Sequence, residues 1–150
     1  MQVRDLMRPD PVTLSFADSL DIADDLMRLG RIRHLPVVDG TRLVGIVTQR
    51  DLLHAAVSSL LALGRTAERD WLRKVPVASV MSPRLFTIAP STPLQTAVEI
   101  MLDKKIDCLP VVEDGALVGI LSETDCLARL RSLLDAADTR QMLPELPPGG

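Results

Sequence analysis

Two short motifs combine a hydroxyl and a carboxylate at a spacing that can do binding chemistry. They are Thr48-x-x-Asp51 and Ser122-x-x-Asp125, and they lie 74 positions apart. At the start of a helix, this spacing is typical of a cap that satisfies free backbone N–H groups. The same geometry suits a ligand, because a helix N-terminus attracts phosphate and a carboxylate accepts hydrogen bonds from ribose hydroxyls. Each motif taken alone favours the cap. Because the motif occurs twice at the same place in the repeat, the case for ligand binding is stronger.

The motifs belong to a longer internal repeat. Leu35–Asp51 reads LPVVDGTRLVGIVTQRD, and Leu109–Asp125 reads LPVVEDGALVGILSETD. The match extends upstream at the same offset of 74 residues, so that Val3 aligns with Val77. Self-similarity at a constant offset indicates a tandem repeat of one unit of roughly 50 residues.

Each unit predicts the order strand, helix, strand, strand, helix. In the first unit a brief strand at 12–14 precedes a helix at 20–29, which Gly30 ends in a left-handed conformation. In the second unit, the pattern predicts Thr92 as the N-cap, Pro93 as the first helical residue and Gln95 as the reciprocal capping partner.

A hairpin follows in each unit. Two apolar, β-branched runs at 35–38 and 43–47 flank Asp39-Gly40, which is typical of buried strands joined by a tight turn. The next helix is predicted to extend to Leu63. A further helical turn or two is predicted over 68–74, where we expect Trp71 to be a packing residue. We therefore divide the chain into repeat 1 (1–64), a linker (65–76), repeat 2 (77–138) and a disordered tail (139–150).

Composition narrows the function class. Hydrophobic residues make up 47% and charged residues 25%, which is typical of a globular protein. A net charge of −3 and 2% aromatic residues argue against nucleic-acid binding. No run is long enough to span a membrane, and two cysteines do not make a disulfide framework. We expect a cytoplasmic protein without a metal site, since no metal-ligand spacing is present.

The chain resembles a tandem pair of cystathionine-β-synthase (CBS) domains, a Bateman module, without a fused effector domain. The resemblance covers about residues 3 to 130 and rests on Met-x-Pro at Met7, LPVV at Leu35 and LVGI at Leu43, each with its copy. It implies an α/β (α+β) fold of two βαββα repeats related by a pseudo-twofold axis, with small sheets and helices on the outside. It also implies two clefts that take adenosine-containing ligands, with AMP, ADP, ATP, S-adenosylmethionine and NAD as candidates, and a homodimer formed through the helices.

The resemblance also implies the ligand-binding residues. The hydroxyl–acid motifs would take ribose and phosphate, and residues near the first strands and before the prolines would line the adenine side. The expected ligand-binding residues are Thr13, Arg33, His34, Leu35, Pro36, Thr48, Arg50, Asp51, Thr87, Asp107, Cys108, Leu109, Pro110, Ser122 and Asp125.

The repeats differ in charge around these motifs. Repeat 1 carries Arg33 and Arg50, whereas repeat 2 has Asp107 and Thr124 at the same positions. Arginine binds phosphate bidentately, so we expect the site of Asp51 to prefer a charged nucleotide. This expectation assumes that each cleft uses the basic residues of its own repeat.

The pattern favours a regulatory, ligand-sensing module that signals to a separate effector protein. The alternative is a dimerisation or scaffold module with degenerate clefts, for which the apolar helices at 52–63 and 127–134 could supply the interface. We do not expect an enzyme, because no nucleophile has a base beside it in the sequence and no phosphate-binding loop is present.

Overall fold

The structure is a computed structural model that describes residues 1–63, 68–83 and 85–142. These ranges contain six strands and five α-helices, with short 3₁₀ turns at Val3–Asp5 and Val77–Ser79. In chain order the elements are β1 (Arg8–Pro9), β2 (Leu14–Ser15), α1 (Leu20–Gly30), β3 (His34–Asp39), β4 (Arg42–Thr48), α2 (Gln49–Leu63), α3 (Glu68–Lys74), α4 (Leu94–Lys104), β5 (Cys108–Glu113), β6 (Ala116–Ser122) and α5 (Glu123–Met142). The mixed α+β class and the predicted hairpins are confirmed.

The strands form one sheet in the order β1-β6-β4-β3-β2, and β5 pairs with β6. The hairpins β3–β4 and β5–β6 are antiparallel, and in each the residue after the leucine–proline pair faces a glycine, Val37 with Gly45 and Val111 with Gly119. These glycines lie under methionines, because a Cβ on Gly119 would approach Met7 Sδ to 2.7 Å. The two hairpins therefore repeat the same strand register, as the sequence repeat indicates.

Each repeat has its own core, and each core is completed by the other repeat. Val3 is fully buried in the core of repeat 2, beside Leu109 and Leu121. Val77 is fully buried in the core of repeat 1, beside Leu35 and Val47. The segment that begins each repeat thus crosses to the other one, and we call these segments (1–9 in repeat 1; 77–83 and 85–86 in repeat 2) the crossing segments. The two halves therefore share buried apolar surface.

Helices α1 and α4 both end in a left-handed residue that is not glycine, which differs from the prediction for α1. Gly30 is the last residue of α1, and the left-handed residue is Arg31, with φ 52°. Lys105 takes the same role after α4, with φ 54°. A Cβ on Gly30 would meet the side chain of Ile32 at 2.7 Å, although repeat 2 has Lys104 at the equivalent position. The prediction that Gly30 is the left-handed residue is therefore wrong.

The predicted capping box of α4 is also wrong. Pro93 is the N-cap and α4 begins at Leu94, whose N–H bonds to the carbonyl of Met1. The Thr92 hydroxyl accepts from Ala89 N, and Gln95 bonds to Glu99. The crossing segment supplies the partner that a local cap would otherwise supply.

The described part of the linker agrees with the prediction, and the start of the predicted tail does not. Residues 68–74 form α3, as the sequence indicated, and Trp71 packs against the core of repeat 1. The last helix, α5, extends to Met142, so residues 139–142 are helical rather than part of a disordered tail. The rest of that predicted tail, 143–150, lies outside the described residues, as do 64–67. Within the described ranges, no helix is both long enough and apolar enough to cross a bilayer.

Candidate ligand-binding clefts

Both hydroxyl–acid motifs form reciprocal caps at the start of a helix. Asp51 Oδ2 accepts from the backbone N of Thr48 at 2.8 Å and from its hydroxyl at 2.9 Å, while Asp51 N donates to the same hydroxyl at 3.2 Å. Ser122 and Asp125 repeat this arrangement at 2.9, 2.6 and 3.3 Å. Both motifs therefore form the helix cap that their spacing predicts. The cap uses Oδ2 of each aspartate and leaves Oδ1 outside it.

A cavity of about 200 Å³ lies beside Asp51. One wall comes from the end of β4 and the start of α2 in repeat 1, and the other comes from the crossing segment and β5 of repeat 2. Its lining residues are His34, Ile46, Thr48, Asp51, Ser82, Leu85, Phe86, Ile106, Asp107, Cys108 and Pro110. The cleft of one aspartate is thus built from both repeats.

The corresponding position beside Asp125 carries an arginine. Arg8 Nε donates to Asp125 Oδ1 at 2.8 Å, and β1 places Arg8 opposite Ile120 of β6. The matching bridge in the other half pairs Ser82 with Ile46. Arg8 and Ser82 therefore occupy equivalent places, one at each cleft.

Arg33 also serves the second repeat. Its Nη2 donates to Thr124 Oγ1 at 3.1 Å, in the first turn of α5. Arg33 is not among the residues that line the cavity beside Asp51, so its expected contribution to that site stays a prediction. The residue that precedes β3 faces the helix that starts in the other repeat.

A histidine and an aspartate join the two halves. His34 Nε2 and Asp107 Oδ1 are 2.9 Å apart, and the His34 side chain is only 11% exposed. Cys108 occupies the place of His34 in the second repeat and is buried. Burial raises the pKa of the Cys108 thiol to about 12, and the nearby carboxylates of Asp107 and Asp125 add to this rise. The Cys108 thiol is therefore neutral at physiological pH.

The leucines among the expected site residues are core residues. Leu35 and Leu109 are fully buried in the two cores, so their side chains do not line a cleft. Pro36 and its counterpart Pro110 are both buried, and Pro110 lines the cavity beside Asp51. β3 and β5 turn these side chains towards the helices, and the placement of Leu35 and Leu109 on the adenine side stays a prediction.

Two further expected residues lie outside the cavity beside Asp51. Thr13 and Thr87 are exposed, and neither is among the residues that line it. The sequence reasoning missed Ser82, Phe86 and Arg8, which the structure brings to the clefts. The Met-x-Pro motif was a usable signal for Arg8 and Ser82, because these are its middle residues in the two repeats.

A larger groove of about 1020 Å³ lies between the helices. Arg50 lines this groove and is not among the residues that line the cavity beside Asp51, so its expected role in ligand binding stays a prediction. Its apolar floor includes leucines that are half or more exposed. These are Leu53 of α2, Leu102 of α4, and Leu127 and Leu130 of α5, and we call them the leucine face.

Among the described residues, no group of three or more His, Cys, Asp or Glu side chains is placed to hold a metal ion. The polar side chains described at the clefts include a carboxylate, hydroxyl groups and, near Asp125, two guanidinium groups.

The CBS domain family profile matches residues 3–58 and 77–132. These two matches cover most of the chain, and the chain belongs to this family as a pair of CBS domains. The boundaries agree with the repeat that the sequence showed and leave α3 between the two matches.

Curated relatives place the same pair in proteins of different size. The chain is 39% identical over 121 residues to an inosine-5′-monophosphate dehydrogenase of Korarchaeum cryptofilum, and the aligned region is 80% of this chain and 22% of the dehydrogenase. It is 32% identical over 135 residues to a CBS domain-containing protein of Dictyostelium discoideum, and the aligned region is 89% of this chain and 93% of that protein. The pair is thus one part of a larger enzyme in some relatives and nearly the whole protein in others.

Solved structures agree with the fold. AcuB of Vibrio cholerae has a TM-score of 0.76 at 36% identity and covers 93% of this chain and 96% of its own. CBSX2 in complex with AMP has a TM-score of 0.72 at 29% identity, covering 88% and 97%. The CBS domain pair of MJ0100, in complex with 5′-methylthioadenosine and S-adenosyl-L-methionine, has a TM-score of 0.70 at 25% identity, covering 88% and 96%. CBS pairs similar to this chain therefore bind adenosyl compounds.

Proposed function

We propose that this chain is a regulatory module that binds adenosine-containing ligands in the clefts of Asp51 and Asp125. The observation that carries the proposal is the position of each aspartate. One carboxylate oxygen holds the helix cap, and the other is directed away from it, where two ribose hydroxyls can donate to it. AMP, ADP, ATP, S-adenosylmethionine, 5′-methylthioadenosine and NAD are the candidate ligands.

The regulatory part of the proposal follows from the construction of the clefts. Because each cleft joins segments of both repeats, a ligand that binds there has different affinities for different angles between the repeats. The ligand would then shift the population of these arrangements, and a separate effector protein would sense the shift. The module itself would catalyse no reaction.

Isothermal titration calorimetry of the purified chain with the candidate ligands tests the binding. We expect at least one of them to bind, with lower affinity in Asp51→Ala or Asp125→Ala. Asp138→Ala is the matched control, since it removes an exposed carboxylate of α5 that is remote from the caps. A ligand at roughly 100 times its Kd adds about 2.7 kcal/mol to the free energy of unfolding, so thermal unfolding provides an independent check.

The exposed leucine face supports a second candidate function, a homodimeric scaffold. A second copy can cover the leucine face with the same four leucines of its own, because a twofold interface uses one surface patch on both subunits. If the chain were only a scaffold, none of the adenosyl compounds would bind. Asp51→Ala and Asp125→Ala would then leave its oligomeric state unchanged.

A further inference from the structure

The two halves place different side chains at the same position beside their helix caps. Arg8, the middle residue of the first Met-x-Pro motif, forms an ion pair with Asp125, in which Nε is 2.8 Å from Oδ1. Ser82 is the middle residue of the second motif, and it lines the cavity of about 200 Å³ beside Asp51. A serine hydroxyl has no charge, so this position supplies an ion pair to the aspartate in one half only.

The main chain holds Arg8 at this place. Strand β1 pairs with β6, so that Arg8 lies opposite Ile120, two residues before the cap of α5 begins at Ser122. The same crossing segment is anchored by Val3, which is fully buried in the core of repeat 2. The contact between Arg8 and Asp125 therefore follows from the packing of the crossing segment.

The Asp125 carboxylate has about four lone-pair sites for hydrogen bonds, two on each oxygen. Its Oδ2 accepts from the backbone N of Ser122 at 2.9 Å and from the Ser122 hydroxyl at 2.6 Å, which fills both sites on that oxygen. Arg8 takes one of the two sites on Oδ1. At most one site is then left, whereas a ribose that donates both of its hydroxyls needs two. An adenosyl ligand that binds Asp125 in the proposed way must therefore displace Arg8.

The exposure of the two partners determines how large this effect is. The Asp125 side chain is 11% exposed, and the Arg8 side chain is 62% exposed. A displaced guanidinium is therefore readily hydrated, and the ribose hydroxyls replace it at the carboxylate. Ion pairs of exposed side chains contribute little net free energy, so the arginine weakens ligand binding without preventing it.

We propose that Arg8 is a built-in competitor at the Asp125 cleft, which an adenosyl ligand displaces from Oδ1 when its ribose binds. This inference rests on the proposed function, because it requires that adenosyl compounds bind at Asp125. The contact is also regulatory, since Arg8 belongs to the crossing segment of repeat 1 and Asp125 belongs to α5 of repeat 2. A ligand at Asp125 thus breaks a link between the repeats, and any condition that weakens this link favours the ligand.

Calorimetric titration of the Asp51→Ala variant measures the Asp125 cleft alone. Adenosine and 5′-methylthioadenosine are the probes, because they have no net charge at neutral pH and no phosphate that an arginine would attract. Adding Arg8→Ser should tighten the binding of both probes by roughly 2- to 5-fold, the range for an ion pair whose arginine is exposed. The serine is compatible with the fold, since Ser82 already occupies this position in the other half.

Arg4→Ser is the matched control, because it removes the same charge from an exposed arginine of the same crossing segment. It should leave the affinity for both probes unchanged. Arg8→Lys keeps a positive charge beside Asp125 and should tighten binding less than Arg8→Ser does.

Salt gives a readout that a merely structural role of Arg8 would not move. Raising the NaCl concentration screens the ion pair, so the binding of the uncharged probes to Asp51→Ala should tighten with salt. Once Arg8 is replaced by serine, the affinity should depend much less on salt.

The outcomes separate the two proposals. If the intact chain and the Arg8→Ser variant bind neither these probes nor any other candidate, the proposed function fails and this inference fails with it. If the chain binds adenosyl compounds, but Arg8→Ser gives the Asp125 cleft an equal or lower affinity for both probes, only the role of Arg8 as a competitor is overturned. A lower affinity would assign Arg8 to the ligand contacts instead.

Discussion

The two repeats share one fold but differ in what covers their helices. In repeat 1, α3 packs on α1 and α2, and its Leu72 is buried in the core. An ion pair between Arg69 and Asp25 at 3.2 Å ties α3 to α1. In repeat 2, no described residues cover α4 and α5 in this way, and Leu102 is 72% exposed.

This difference shows how a tandem repeat can divide its tasks. A covered pair of helices contributes stability within the chain, because its leucines are removed from water on folding. An uncovered pair retains apolar surface that a second copy can bury. The leucine face, which lies mainly on α4 and α5, therefore belongs to the half of the molecule that has apolar surface to offer.

The largest effect is expected at the leucine face. Leu127→Glu should weaken the proposed homodimer on the order of 100-fold or more, because each dimer would lose two buried leucines worth about 1.5–3 kcal/mol each. Sedimentation velocity over a concentration series measures this change. Leu29→Glu is the matched control, since Leu29 is 86% exposed at the end of α1 and is not part of the face. A dimer of unchanged affinity in Leu127→Glu would contradict the assignment.

The next effect tests the cover of repeat 1. Leu72→Ala should lower the free energy of unfolding by about 2–5 kcal/mol, because it leaves a cavity under α3. Urea denaturation followed by circular dichroism gives the value. Leu29→Ala, which removes the same atoms from an exposed site, should change the stability by no more than about 0.5 kcal/mol. If Leu72→Ala is as mild as this control, α3 is not part of the cooperative core.

The smallest expected effect concerns the reactivity of Cys108, which stands in repeat 2 where repeat 1 has His34. The pKa of Cys108 is raised to about 12, so at pH 8 the folded protein holds it as an unreactive thiol. Burial also raises the pKa of Cys126, but Cys126 is only half-buried. Iodoacetamide at pH 8 should therefore alkylate Cys126 first and Cys108 only after unfolding.

Mass spectrometry of the alkylated chain, with Cys108→Ser to assign the peaks, checks this order. The sign of the linkage is that of a raised pKa. The contribution of Cys108 to stability is complete below the pKa of the unfolded thiol, near 9, and is lost as the pH rises towards 12. Rapid alkylation of Cys108 in the folded chain would show that it is accessible and ionised.

Much of the fold could be predicted because its signals are local. The hairpins follow from β-branched runs beside Gly40 and Gly115, which both adopt positive φ. The caps at Thr48 and Ser122 follow from a spacing of three residues. The prediction for α4 failed where the partner was distant, because the carbonyl of Met1 replaced a local cap.

The candidate site was predicted less completely. Asp51, Thr48, Asp107, Cys108 and Pro110 do line one cavity. The sequence reasoning counted basic residues repeat by repeat, and this count cannot find a residue that reaches across from the other repeat. In the structure, Arg8 and Arg33 act beside the helix of the other repeat.

The sequence by itself determined the repeat, its register and the hydroxyl–acid caps, because these depend on neighbours within a few residues or on the comparison of one half with the other. Only the tertiary structure decided which segments meet. Burying Val3 in repeat 2 and Val77 in repeat 1 removes apolar surface from water, and this burial carries Arg8 to Asp125 and Ser82 to the cleft of Asp51. The difference between the clefts is therefore a consequence of core packing.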